Sequence, residues 1–327
     1  MAELNNTPLR EFHLEMGAKM VPRSNWNVPL NFSEGAQEEH ECCRNGAALF
    51  DFCADGRYRI AFPGAAKKMA ELLLQGGEAL EAGHCRRDYF VSKGTAVCPC
   101  HISCMALDDF FVSIPLQSTA KAELFFKEEG IEALSLSEQL ASVGICGPES
   151  SHVLEAAGVE TESLPGSGES CILEIDGLRA IVFCWELFGE EGYVFNFAAD
   201  CADQIWDLLL DTEIPWPAGI AAQESLRLEK GFISSAELLV PRKKEELPGA
   251  FALVAFEGRR APYAGVKLFD SDNTEKGVVT SSSFCPTLKC AAAMVYFPGG
   301  VPETSCKLHA DASGVEVTGS VSQGALL

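Results

Sequence analysis

Several residues in this sequence are of types, and at spacings, that can do chemistry. Arg227 sits in Ser225-Leu226-Arg227-Leu228-Glu229-Lys230-Gly231, a helical pattern closed by glycine. A guanidinium does not give up its charge, so on a helix packed inward it must meet an anion or several acceptors. That makes Arg227 a candidate ligand clamp, with a structural ion pair to Glu224 or Glu229 as the plain alternative. Cys98-Pro99-Cys100-His101-Ile102-Ser103-Cys104 gathers soft ligands that suit zinc, yet no second Cys-x-x-Cys pair stands at the usual distance. A cysteine-rich strand and turn is the preferred reading, and no metal is expected. Two further carboxylate groups, Asp108-Asp109 and Glu190-Glu191, open or flank strand-like runs and by themselves read as solvated turns.

The elements that would carry these residues are legible as a mixed pattern. Residues 7–30 read as a short helix or turn leading into an extended segment, and residues 38–44 as a helix ended by Ala48-Leu49-Phe50-Asp51. Arg57-Tyr58-Arg59-Ile60-Ala61-Phe62 alternates like a strand and stops at Pro63-Gly64. Residues 65–74 have helical spacing, residues 110–116 are a second strand, and residues 143–146 a buried one. Helix resumes over residues 150–157, residues 172–183 alternate through an Asp176-Gly177 turn, and residues 193–197 and 201–210 read as strand and helix. Residues 241–249 form a charged, proline-bounded linker candidate. Beyond it, short strands with frequent Gly and Pro turns predict a small all-β terminal domain.

Composition narrows the function classes. A chain of 327 residues exceeds what one compact core usually supports, so two or three domains are expected. Asp and Glu outnumber Lys and Arg 47 to 25, a net charge of −22 that repels phosphate backbones and argues against nucleic acid as a partner. The start Met1-Ala2-Glu3-Leu4 lacks an export pattern and no apolar run is long enough to span a bilayer, so a cytoplasmic protein with no membrane partner is expected. In such a chain the 14 cysteines are expected to stay reduced.

A set of short blocks then coincides in order with one family. They include Thr7-Pro8-Leu9, Gly17-Ala18-Lys19-Met20-Val21-Pro22, Glu38-Glu39-His40, Leu49-Phe50-Asp51, Gly56-Arg57, Asp108-Asp109, Gly147-Pro148, Gly189-Glu190-Glu191-Gly192-Tyr193, the Arg227 helix and Gly277-Val278-Val279-Thr280-Ser281. Each block is weak alone, but their common order across nearly the whole chain is specific. The chain resembles the glycine cleavage T-protein, a tetrahydrofolate-dependent aminomethyltransferase, as a divergent member.

The resemblance implies an α+β, three-lobed folate-binding fold. Residues 1–50 with 138–240 would form a discontinuous folate-binding lobe, 51–137 a second α+β lobe, and 248–327 a C-terminal β-barrel domain. The implied function is aminomethyl transfer to tetrahydrofolate from a lipoyl-bearing carrier protein, with ammonia leaving. The implied catalytic carboxylate is Asp109, with Asp108 as runner-up. The implied cofactor-binding residues are Glu190, offering two acceptors to the pterin amino edge, and Arg227. The alternative is a non-enzymatic folate-binding module or a pseudoenzyme. A related class of iron–sulfur support factors is disfavoured, because Lys230-Gly231-Phe232 lacks their cysteine.

The chain departs from the family pattern at several points. Leu187-Phe188 replaces Tyr-Thr before Gly-Glu, Ala54-Asp55 replaces His-Met before Gly-Arg, and Pro262-Tyr263 replaces Pro-Arg. These changes bear on substrate more than on fold. The family's carrier is acidic, so a net charge of −22 weighs against a standard partnership unless a local basic patch exists.

Overall fold

The computed structural model describes residues 4–76, 80–235, 237–239 and 251–322. The linker candidate at residues 241–249 lies outside the described residues. Two compact units divide the chain, residues 1–220 and residues 221–327.

In the first unit β1 (Asn5–Asn6), α1 (Arg10–Glu15), β2 (Lys19–Arg23) and β3 (Trp26–Asn31) precede α2 (Ala36–Asn45), β4 (Ala47–Asp51) and β5 (Gly56–Ala61). There follow α3 (Ala65–Leu72), β6 (Cys85–Ser92), β7 (Thr95–Ala106), β8 (Asp109–Ile114), α4 (Thr119–Glu128) and β9 (Ala133–Ser135). The unit continues through β10 (Leu140–Cys146), α5 (Ser150–Ala156), β11 (Glu169–Ile175), β12 (Leu178–Leu187) and β13 (Glu190–Ala198) to α6 (Ala202–Leu210) and β14 (Pro215–Ala218).

These strands build two main sheets. One has six strands in the order β11-β12-β13-β10-β4-β14, and the other five in the order β6-β7-β8-β5-β9. Alternation along each strand decides what lies on either side. Leu49, Val143, Ile145, Val182, Tyr193 and Phe195 face α5 and α6, where they pack on Leu154, Ile205 and Trp206. Tyr58, Ile60, Cys98, Cys100, Ile102, Phe110 and Val112 face α3 and α4, against Met69, Phe125 and Phe126. The two remaining faces meet each other, as the Phe111–Phe183 ring pair at 5.3 Å and the Ser103–Ser170 hydrogen bond at 2.6 Å record. Each fully buried Phe or Leu in these layers contributes about 1.5–3 kcal/mol of transfer free energy.

Two expectations need correction. Ala48-Leu49-Phe50-Asp51 does not end a helix. It belongs to β4, paired to β10 on one side and parallel to β14 on the other. Strands buried on both faces read as unbroken apolar runs, which hides their period. The strand at residues 110–116 begins one residue earlier and stops at Ile114, before Pro115.

The Glu38-Glu39-His40 block is structural. The carboxylate of Glu39, on α2, accepts the backbone N–H groups of Phe32 at 2.5 Å and Gly219 at 2.9 Å. A Cβ at Gly219 would come within 2.4 Å of the Leu30 carbonyl oxygen, so glycine is the residue that allows this close approach.

The second unit contains most of α7 (Ile220–Glu229), then β15 (Phe251–Phe256), β16 (Lys267–Phe269), β17 (Glu275–Cys285), β18 (Cys290–Tyr296), β19 (Lys307–Asp311) and β20 (Glu316–Val321). The six strands close into a barrel in the order β15-β18-β17-β16-β19-β20. Val254, Phe256, Leu268, Val295, Phe297 and Leu308 fill its core. All 14 cysteines of the chain are free thiols. No helix among the described residues is long and apolar enough to cross a membrane.

Candidate functional site

Between the facing sheets of the first unit lies a cavity of about 30 Å³, room for about two ordered waters. Arg57, His101 and Ser113 line it from the five-stranded sheet, and Ser142, Trp185, Leu187 and Val194 from the six-stranded one. The turn between β4 and β5 adds Phe52 and Asp55. Register explains the assembly: His101 and Arg57 both stand opposite Ser113, while Trp185 stands opposite Gly192 and Gly144 opposite Val194. A Cβ at Gly144 would fall 2.3 Å from the Phe52 ring, so this glycine leaves the space that Phe52 fills in the wall.

The wall is aromatic and flat on one side. The His101 and Trp185 rings stack with centroids 4.6 Å apart and planes 9° apart, and Phe183 extends the stack beyond Trp185 at 5.1 Å. Burial, with the Arg87 charge, pushes the His101 imidazole down to about 3, so it is neutral across the physiological range.

The polar groups divide into anchored and orphaned ones. Arg57, 1% exposed, donates to the carbonyls of Phe52 at 3.0 Å, Cys53 at 2.9 Å and Ser137 at 2.7 Å. It thereby fixes the turn that carries Asp55. Asp55 Oδ1 accepts the Leu116 N–H at 2.8 Å, and burial raises its carboxyl to about 7. Three groups around the cavity hold buried polar atoms without a partner among the described residues: Arg57 Nε, Trp185 Nε1 and both amide atoms of Asn196. Asn196 stands opposite Ser142, two residues along the same face from Val194. Flat aromatic walls, orphaned donors and an amide suit a planar ring with a polar edge.

A family model described as the GCVT N-terminal domain matches residues 9–239. The chain belongs to this family. An aminomethyltransferase of Halothermothrix orenii is 24% identical, over 90% of this chain and 91% of its own length. One of Saccharopolyspora erythraea is 28% identical, over 97% of this chain and 96% of its own. The crystal structure of the glycine cleavage system aminomethyltransferase T from Bartonella henselae superposes with a TM-score of 0.85 at 22% identity, over 99% of this chain and 97% of that one. The fold of this GCVT-family chain is therefore the T-protein fold, an α+β body with a C-terminal barrel.

Within the family fold, the residues singled out in the sequence take separate places. Glu190 opens β13 opposite the cavity residue Leu187, hence on the cavity face, and Oε1 accepts from Arg44 at 3.1 Å. The same Arg44 nitrogen also donates to the Phe188 carbonyl at 2.7 Å.

Asp109 is on the cavity-side face of β8 but four residues from Ser113, roughly 13 Å along the strand. Both its oxygens are held by Arg59, at 2.9 and 2.7 Å. Asp108, in the left-handed region at φ 60°, accepts the Gly64 and Ala66 N–H groups at the start of α3. The structure thus places both Glu190 and Asp109 on the faces that line the cavity, Asp109 at the hairpin end of β8, and puts Asp108 in the hairpin turn. Asp109→Asn is expected to cost less than about 1 kcal/mol, because its pair with Arg59 is exposed, and to leave one-carbon transfer within about twofold. Thermal denaturation and a turnover assay check both.

Arg227 belongs to the second unit. It donates to both carboxylate oxygens of Glu224, at 3.0 and 2.6 Å, to Ser281 at 2.8 Å and to the Phe232 carbonyl. Its charge also lies 3.5 Å from Glu237, which in turn accepts from Thr280 and Ser281. The inward helix therefore finds its anions within the chain, and the network ties α7 to β17.

Among the described residues no three His, Cys, Asp or Glu side chains gather as metal ligands. Cys98 and Cys100 point into the α3/α4 core, whereas His101 points into the cavity. Sequence reasoning did not select Trp185, His101 or Asp55 as site residues. The parity of residues 98, 100 and 101 on one strand was the available signal for His101.

Proposed function

We propose that this GCVT-family protein transfers a one-carbon, aminomethyl-level group to tetrahydrofolate, with the pterin ring seated in the cavity between the two sheets. The observation that carries the reading is the stacked His101–Trp185 wall beside buried, unpartnered polar atoms on Arg57, Trp185 and Asn196. The relatives called aminomethyltransferase, alike over nearly their whole length, support the reaction class.

Tetrahydrofolate when bound supplies the two nitrogens that receive the carbon. The chain's own residues supply the rest. The His101–Trp185 stack offers a flat aromatic wall, Trp185 adds its Nε1–H, and Arg57 Nε and the Asn196 amide offer edge hydrogen bonds. Glu190 offers its second carboxylate oxygen, the first being held by Arg44. Arg227 acts as a positioning residue that holds α7 on the barrel. Because the cavity as it stands holds about two waters, seating a bicyclic ring requires Phe52 and Leu187 to swing out of the wall.

The donor in this reading is an aminomethyl group on a lipoyl-bearing carrier. Ammonia release that requires both this carrier and tetrahydrofolate tests the reading. Release that ignores tetrahydrofolate contradicts it, and binding without release makes the protein a folate module. With a net charge of −22, encounter with an acidic carrier is slowed by repulsion. The value of kcat/KM for such a carrier is therefore expected to rise with ionic strength, the reverse of a steered pair.

A further inference from the structure

We propose that Asp55 is the proton-transferring residue of this cavity. The proposal rests on the folate reading above. Asp55 is the one carboxyl among the described residues that line the cavity, and its half-buried side chain borders that space. Its position is over-determined. Arg57 holds the carbonyls of the turn on which it stands, and the Leu116 N–H fixes one of its oxygens. The second oxygen is left for a ligand.

The charged and titratable groups around Asp55 are few. Arg57 on β5 favours its carboxylate form, Asp51 on β4 disfavours it, and burial outweighs both. Asp51 is itself held ionised by His13, at 2.8 Å on the far side of β4. His101 on β7 is neutral and stays so. Asp55 is thus the cavity group that changes charge near neutrality, where an acid and a base of the same group are both populated. Asp109 stands roughly 13 Å along β8 from the cavity residue Ser113, with both oxygens bound by Arg59.

The transfer needs such a group. Two carbon–nitrogen bonds form at the transferred carbon, and each attacking nitrogen gives up one proton. One carbon–sulfur bond and one carbon–nitrogen bond break, and the thiol and the ammonia take up those two protons. Asp55 as the acid gives its proton to the departing amine. As the carboxylate it then takes one from an attacking nitrogen and ends as it began. No oxidant or reductant enters.

The test compares wild type with Asp55→Asn, which keeps an acceptor for the Leu116 N–H, and with Asp55→Ser should the first variant fold poorly. Carbon-13 NMR of the aspartate carboxyls is expected to show one resonance titrating near neutrality, absent from the variant. Tetrahydrofolate affinity should change less than about fivefold, while kcat falls about a hundredfold or more and loses its inflection near pH 7.

A stability readout is independent of the ligand. A carboxyl raised on folding makes stability fall as pH rises from about 4, the unfolded value, through about 7, the folded one. The variant should lose that fall in its Tm profile. A carboxyl titrating near 4, or a variant with the wild-type rate and pH profile, overturns the assignment to Asp55 alone. Failure of the wild type to bind tetrahydrofolate overturns the folate reading and this inference with it.

Discussion

Arg57→Ala is expected to destabilise the protein by about 3–5 kcal/mol, measured as a fall in the urea midpoint at unchanged slope. The guanidinium is 1% exposed and bonds three backbone carbonyls, from Phe52, Cys53 and Ser137. Removing it takes the donor from the Cys53 and Ser137 oxygens, each at about 1–3 kcal/mol before relaxation, while the Phe52 oxygen keeps the Asp55 N–H at 3.0 Å. Arg57→Lys should recover only part of the loss, because an ammonium on a flexible stem does not reproduce the planar fork. The same change reaches the site. Arg57 is the cation beside Asp55, so its removal should push the Asp55 carboxyl still higher and loosen the turn that positions it. A loss below about 1 kcal/mol would mean that the turn is held by other contacts.

Trp185→Ala is expected to weaken tetrahydrofolate binding by at least about thirtyfold, or about 2 kcal/mol, in calorimetry. Trp185 is 6% exposed, stacked on His101 and Phe183, and its Nε1 has no partner among the described residues. Truncation removes both the middle ring of the aromatic wall and the orphaned donor. Trp185→Phe keeps a ring in the wall and loses the donor, so its affinity should fall between the two. Unchanged affinity in both variants would place the ligand elsewhere.

Much of this fold was legible because its strands alternate. Residues 57–62 and 193–197 show their period directly, and the register confirms β5 and β13 as strands. The strand β4 was misread because Ala47, Ala48, Leu49 and Phe50 are all buried, leaving no polar face to reveal a period of two. In β7, Cys98 and Cys100 drew attention as metal ligands, although they are small apolar residues of the α3/α4 core.

The site was less legible for a physical reason. Its lining residues come from six separate strands and a turn, and only pairing puts Arg57 and His101 on either side of Ser113. Asp55 was visible as a departure from the family pattern, but the N–H that fixes its carboxylate comes from Leu116, 61 residues away. Arg227 was correctly singled out as a charge on an inward helix. The anions it meets, Glu224 and Glu237, show why an arginine fits there without any ligand.

A crystal structure of the protein with tetrahydrofolate tests the central claim most directly. The pterin ring is expected between the two sheets of the first unit, against the wall formed by the His101–Trp185 stack, its edge on Arg57 Nε and the Asn196 amide, and Asp55 within hydrogen-bond reach of a reacting nitrogen. A ring bound anywhere else, or a cavity still closed by Phe52 and Leu187 at saturating ligand, would contradict it.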